Sequence, residues 1–144
     1  MGKQALVFVF YNKHTNLVLL ENRIEGQMFA GIKIFPGGRI EKNELSNFDK
    51  TLKRECLEEF GIIPKDYVRL QKFVLGESGN NLWIYLITGW TGKLPDKVRD
   101  KGSLLEWLNL NDFKCELKSV MTISDMVKKY LVSHNVVDFP FHSK

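Results

Sequence analysis

Apolar residues occur along this chain in two kinds of run: short β-branched and aromatic stretches, and segments in which they recur every three or four residues. Residues 4–11, QALVFVFY, and 17–21, LVLLE, are of the first kind, with the polar, turn-prone Asn12–Asn16 between them. They predict a hairpin. Residues 22–32, NRIEGQMFAGI, mix glycine, polar and apolar side chains and read as a loop leading to Lys33–Phe35. Tyr67–Leu75 and Asn81–Trp90 predict two strands joined by a turn at Gly76–Asn80, and Leu104–Leu110 predicts a last one after a polar loop at 91–103. Helical spacing appears twice. Phe48, Leu52, Cys56 and Phe60 recur at four-residue steps, with Gly61 as a left-handed stop and Pro64 beyond it. Val120, Ile123, Met126, Val127 and Tyr130 mark a second helix over 117–133. Strands alternating with two amphipathic helices predict an α/β fold, α+β mixed.

The first helix carries more than a core stripe. Ser46 is placed to cap it, and Asp49 stands where a capping box has Glu or Gln. At about 100° per residue, Glu55, Glu58 and Glu59 fall within roughly a third of the helix circumference. Like charges at this spacing cost an isolated helix about 0.2–0.5 kcal/mol per pair. Two readings follow: a solvated acidic face, or a face that holds a hard divalent cation such as Mg²⁺, which combines carboxylate oxygens with phosphates and waters. Arg54, one turn before Glu58, can orient that carboxylate by an i,i+4 contact. Upstream, Gly37 and Gly38 after Pro36 predict a tight turn whose backbone a ligand can approach. Glu44 brings a further carboxylate to the same neighbourhood.

A chain of 144 residues suits a single domain over 1–144, and a domain near this size buries about 68–70% of its unfolded surface. Its 21 Lys and Arg against 17 Asp and Glu are spread without a run of like charge. That balance suits an anionic substrate and carries no specific nucleic-acid signature. Cys56 and Cys115 lack metal-ligand spacing and fit a reducing, cytoplasmic setting. The opening MGKQALVFVF has no cleavage-site pattern, Leu6 stands where a myristoylation signal needs Ser or Thr, and no stretch approaches the roughly 18 apolar residues of a membrane span. The tail VVDFPFHSK is apolar for a terminus and is a surface for the body or for a second subunit, so a homodimer is open.

The segment Phe35–Ile62, FPGGRIEKNELSNFDKTLKRECLEEFGI, resembles the signature of the Nudix family, G-x5-E-x7-R-E-U-x-E-E-x-G-U, with U a bulky aliphatic residue. Gly38 and Glu44 match its first spacing and Arg54–Ile62 its last block. Nine residues rather than seven separate Glu44 from Arg54, and Cys56 occupies an aliphatic position. The insertion falls at 45–49, before or at the helix start, so it lengthens a loop and leaves the mutual positions of the helical glutamates alone.

The resemblance implies the Nudix fold, a mixed β-sheet sandwiched between α-helices. It also implies Mg²⁺-dependent hydrolysis, with Mn²⁺ as an alternative ion, of a nucleoside diphosphate linked to another group. Gly38, Glu55, Glu58 and Glu59 are the implied metal site, and Glu55, Glu58, Glu59, Arg54 and Glu44 the implied catalytic set. Candidate substrate contacts are Arg23 in the 22–32 loop, either a phosphate-binding guanidinium or a surface arginine, and Phe29, which with Met28 either packs a base or closes the core. Trp83, Tyr85 and Phe73 either stack on a base or fill the core. Asp100, with Asp96 second, is the candidate for an extra acidic residue that binds the metal or assists deprotonation of water, and one of the glutamates or Asp100 is implied to accept that proton. Beyond the signature, Asn81–Trp90 and EWLNLNDF extend the likeness to the MutT-like branch, which hydrolyses nucleoside triphosphates to monophosphate and pyrophosphate. Leu117–Ser119 occupy the region where that branch reads an oxidised base with an asparagine. Nucleotide sugars, dinucleoside polyphosphates and capped RNA are rival substrates, and a non-catalytic nucleotide-binding module is the rival class.

Overall fold

Strand β1 (Gln4–Asn12) lies at the centre of the molecule and turns through residues 13–16 into β2 (Leu17–Asn22), forming the expected antiparallel hairpin. The computed structural model describes residues 3–75 and 79–134; most of the expected Gly76–Asn80 turn and the whole apolar tail lie outside them. On its other flank β1 runs parallel to β6 (Asn80–Thr91), which pairs antiparallel with the long β5 (Ile63–Leu75). Strands β3 (Lys33–Ile34) and β7 (Leu104–Asn109) join β2, and β4 (Gly37–Arg39) joins β1, giving a mixed sheet with a β3-β2-β1-β6-β5 path.

Both faces of the central strands are covered, which is why β1 and β6 read as continuous apolar runs rather than alternating ones. Val7, Val9 and Tyr11 of β1 and Ile84 and Leu86 of β6 face one core, filled by Val120, Ile123, Val127 and Leu131 of helix α2 (Lys118–Ser133). Leu6, Phe8 and Phe10, with Tyr85 and Ile87, face a second core. There the predicted stripe of helix α1 (Phe48–Glu55) and the turn after it supplies Leu52, Cys56 and Phe60. Phe60 meets Phe10 and Phe8 edge-on, ring centres 5.4 and 6.2 Å apart. Each such fully buried side chain contributes about 1.5–3 kcal/mol.

Three local expectations change. The Ser46–Asp49 capping box does not form: Asn47 takes the N-cap position of α1, without a side-chain bond. Reciprocal capping instead surrounds the preceding 3₁₀ turn, Lys42–Glu44, where the Glu41 amide donates to Glu44 Oε1 at 3.1 Å. Residues 45–47 absorb the insertion ahead of the helix. Beyond Glu55 the helix widens into a π turn, Cys56–Phe60, whose end is Gly61 at φ 67°. Gly37 and Gly38, finally, form strand β4 rather than a tight turn. They are glycines because of close approach: a Cβ on Gly37 would meet the Leu6 carbonyl oxygen, and one on Gly38 the Glu55 carboxylate.

Candidate active site

Arg54 is the residue on which the acidic side chains converge. Its Nε donates to Glu44 Oε2 at 2.7 Å and its Nη2 to Glu44 Oε1 at 3.0 Å and to the Arg39 carbonyl at 3.1 Å. Its Nη1 donates to Glu55 Oε2 at 2.6 Å and to Glu58 Oε1 at 3.2 Å, the latter being the i,i+4 contact. Glu44 is buried at 1% exposure and also accepts the Thr51 hydroxyl at 2.9 Å. The Arg54 guanidinium holds its carboxyl at about 2, down from an ordinary 4.5, against the opposing effect of burial. The same pairing raises the Arg54 pKa. Despite the insertion, Glu44 reaches Arg54; its side-chain hydrogen bonds go to that arginine, to Thr51 in the helix and to the Glu41 amide of the turn before it.

Glu55 and Glu59 are buried, while the Glu58 side chain is half-exposed. Burial raises the Glu55 pKa; the Arg54 charge opposes this, and Glu59 and Glu58 reinforce it. Burial also raises that of Glu59, whose Oε1 accepts the Asp100 amide at 3.4 Å. The Asp100 carboxylate pushes the Glu59 pKa further up, while Lys101 draws it down. Asp100 therefore stands at the acidic face. Asp96 is an exposed loop residue whose carbonyl accepts the Leu105 amide at 2.8 Å.

Among the described residues no three or more His, Cys, Asp and Glu side chains form a preassembled metal cage. The Arg54 guanidinium lies between Glu55 and Glu58 and balances part of their charge. The donor chemistry nonetheless fits a hard divalent cation. Glu55, Glu58 and Glu59 are oxygen donors on two successive turns, and the bare Cα of Gly38 leaves the space that the Glu55 carboxylate occupies. These three residues are the ones that would hold the ion, with Gly38 beside them.

Next to this face opens a cavity of about 400 Å³, bounded by the 22–32 loop, β4 and the start of α2. Met28 and Phe29 line it and are 71% and 45% exposed, which overturns their reading as core. Phe29 has φ 63°, a left-handed conformation that turns the loop at the cavity edge. Arg23 also lines it, held by Nη1 to Glu21 Oε2 at 3.0 Å and by Nε to the Met28 carbonyl at 3.1 Å. Ser119 and Leu117, in the region expected to read a base, form part of the wall. Trp83 does not belong to it. In β6, Trp83 alternates with the cavity-lining Leu82 and packs on the α1 side, its ring centre 5.0 Å from that of Phe48 and its indole donating to Gln4 Oε1 at 2.7 Å. A base-stacking role for it has no support in this placement, and Tyr85 is core.

Three residues around the cavity escaped the sequence reading. Glu21, Arg39 and Lys101 all line it. Glu21 ends the apolar run LVLLE, and its 2% exposure could only have been guessed from a charge at the edge of a buried strand. Arg39 and Lys101 sit at exposed strand and loop positions where a basic residue ordinarily signals nothing.

A family model, the NUDIX domain, matches residues 2–129. The chain belongs to the Nudix family. Among curated proteins it is 37% identical over 82 residues to an 8-oxo-dGTP diphosphatase of Buchnera aphidicola, covering 56% of this chain and 58% of that one. It is 35% identical over 92 residues to the 8-oxo-dGTP diphosphatase of Haemophilus influenzae, covering 62% and 65%. The chain thus spans about three-fifths of the length of these relatives. In fold it is similar to the MutT Nudix hydrolase of Burkholderia pseudomallei, with a TM-score of 0.70, 19% identity, and 88% and 98% of the two chains covered. It is likewise similar to the Nudix domain of Shewanella oneidensis NrtR complexed with ADP ribose, at 0.73, 16%, 91% and 89%. No described helix is long and apolar enough to cross a membrane.

Proposed function

We propose that this chain is a MutT-like hydrolase that splits a nucleoside triphosphate into a monophosphate and pyrophosphate with Mg²⁺, or Mn²⁺ in its place. The observation that carries the reading is the double position of Gly38, which lines the cavity and also abuts the Glu55 carboxylate. A nucleoside seated in the cavity extends its phosphates toward the acidic face. Relatives named 8-oxo-dGTP diphosphatase support a triphosphate substrate, with Ser119 rather than an asparagine in the cavity wall.

A bound divalent ion neutralises phosphate charge and lowers the pKa of coordinated water. The remaining work falls to side chains. Glu55, Glu58 and Glu59 hold the ion, and Arg54, anchored by Glu44, fixes the first two in orientation. Arg23, held by Glu21 and Met28, presents its guanidinium to a phosphate. Met28 and Phe29 offer apolar surface to the base. One of the glutamates, or Asp100, whose amide meets Glu59 Oε1, would take the proton from the attacking water.

The test is a panel of nucleoside triphosphates, nucleotide sugars, dinucleoside polyphosphates and capped RNA, each with Mg²⁺ or Mn²⁺, scored for the products released. Pyrophosphate and nucleoside monophosphate from triphosphates are expected. Turnover confined to another class would move the substrate; no turnover across the panel would make the chain a binding module.

A further inference from the structure

The loop that follows β6 is fastened at three points, and each fastening belongs to a different part of the site. At its middle, the Arg99 amide donates to the Glu59 carbonyl at 3.0 Å and the Arg99 Nη1 to the Leu57 carbonyl at 3.3 Å, so this residue caps the end of the glutamate-bearing helix. Gly61 lacks the Cβ that would collide with that guanidinium. One residue on, the Asp100 amide meets Glu59 Oε1. At the end of the loop, the buried Ser103 hydroxyl donates to Glu21 Oε2 at 2.6 Å, on the same carboxylate oxygen that holds Arg23.

Between these anchors lies Lys101. It is solvent-exposed and lines the cavity, one residue after the Asp100 amide that meets Glu59. No ion pair within 4.0 Å engages its ammonium among the described residues. A loop tied down on both sides of an exposed lysine lowers the entropy lost when that lysine meets a ligand. The ligand reached from this position is whatever spans the gap between the cavity and the glutamates.

We infer that Lys101 binds the phosphate chain of the substrate, and that Arg99 and the Ser103–Glu21 hydrogen bond hold its loop across the gap between cavity and acidic face. The assignment rests on the polyphosphate reading given above. Lys101 is a binding residue; Arg99 and Ser103 are positioning residues. Arg23 and the Lys101 loop are then linked through Glu21, whose Oε2 accepts from both the Arg23 guanidinium and the Ser103 hydroxyl.

The experiment measures binding of inorganic tripolyphosphate with Mg²⁺, and hydrolysis of dGTP, for wild type, Lys101→Met, Lys101→Arg, Ser103→Ala and Lys97→Met. Lys97 is exposed on the same loop but does not line the cavity, so Lys97→Met controls for loss of one surface charge. Lys101→Met is expected to weaken tripolyphosphate about tenfold and to raise KM for dGTP more than it lowers kcat. Lys101→Arg is expected to restore most of the loss, Ser103→Ala to give an intermediate KM, and Lys97→Met to match wild type. Equal tripolyphosphate binding by wild type and Lys101→Met, absence of measurable binding by wild type, or an equal loss in Lys97→Met would overturn the assignment. Binding lost in Lys101→Met without any wild-type turnover would retain Lys101 and sink the hydrolase reading. Turnover by wild type with an unaltered Lys101→Met would do the reverse.

Discussion

Glu44 and Arg54 meet in a two-pronged ion pair, Nε to Oε2 at 2.7 Å and Nη2 to Oε1 at 3.0 Å, with the carboxylate buried at 1% exposure. Removing one partner of a buried pair strands the other and costs about 3–5 kcal/mol. Glu44→Ala is expected to lose stability in that range in a urea or thermal melt, and to lose turnover as well because Arg54 is released. Glu44→Gln, which keeps an acceptor for Thr51, is expected to lose less.

The same pair sets an acid limit. The Glu44 carboxyl is held at about 2 against an ordinary 4.5. A depressed carboxyl contributes stability that is complete above the unfolded value and is lost as pH falls toward the folded one. That difference is worth roughly 3 kcal/mol. Stability is therefore expected to decline between about pH 4.5 and 2, and the Glu44→Gln variant to show a shallower decline across that window.

Glu55 and Glu59 carry the opposite sign. Burial raises both above the ordinary glutamate value, so in the metal-free protein they favour the fold at low pH and their contribution is lost as pH rises through the raised folded values. A divalent ion removes that penalty by displacing protons. Mg²⁺ or Mn²⁺ is expected to raise the melting temperature more at pH 8 than at pH 5, with proton release measurable by calorimetry in buffers of different ionisation enthalpy. A metal-induced shift independent of pH would contradict this.

Gly38→Ala places a methyl group where the Glu55 carboxylate lies. Displaced from its place, Glu55 no longer joins Glu58 and Glu59. The variant is expected to bind Mn²⁺ at least tenfold more weakly in a paramagnetic titration. Gly26→Ala serves as the control for a glycine change: nothing lies within 4 Å of its added Cβ, although φ 90° brings local strain.

The sandwich was legible because β1 and β6 are continuous apolar runs and each helix follows one period: the four-residue stripe Phe48–Leu52–Cys56–Phe60 packs in the core facing α1. Legible too were the hairpin and the i,i+4 contact of Arg54 with Glu58. What escaped depends on contacts between residues distant in sequence. A PGG string suggests a turn, yet these glycines exist for Leu6 and for Glu55, on different elements. Met28 and Phe29 look like core until the loop places them at a cavity edge. Trp83 has the chemistry to stack on a base, but strand parity puts it on the sheet face away from the cavity. Ser103 on Glu21 and the Asp100 amide on Glu59 come from 82 and 41 residues away, beyond the reach of any local pattern.

The most direct measurement is the Mg²⁺-dependent turnover of Glu58→Gln on the best triphosphate of the panel, beside its melting temperature. The Glu58 side chain is 52% exposed, and its contact with Arg54 is a surface i,i+4 pair, so stability is expected to change by less than about 1 kcal/mol. Loss of a metal-holding carboxylate removes several kcal/mol of transition-state stabilisation, so turnover is expected to fall at least about 100-fold. A Glu58→Gln protein that melts like wild type and hydrolyses triphosphate at a wild-type rate would contradict the assignment of this helix face to metal-assisted chemistry.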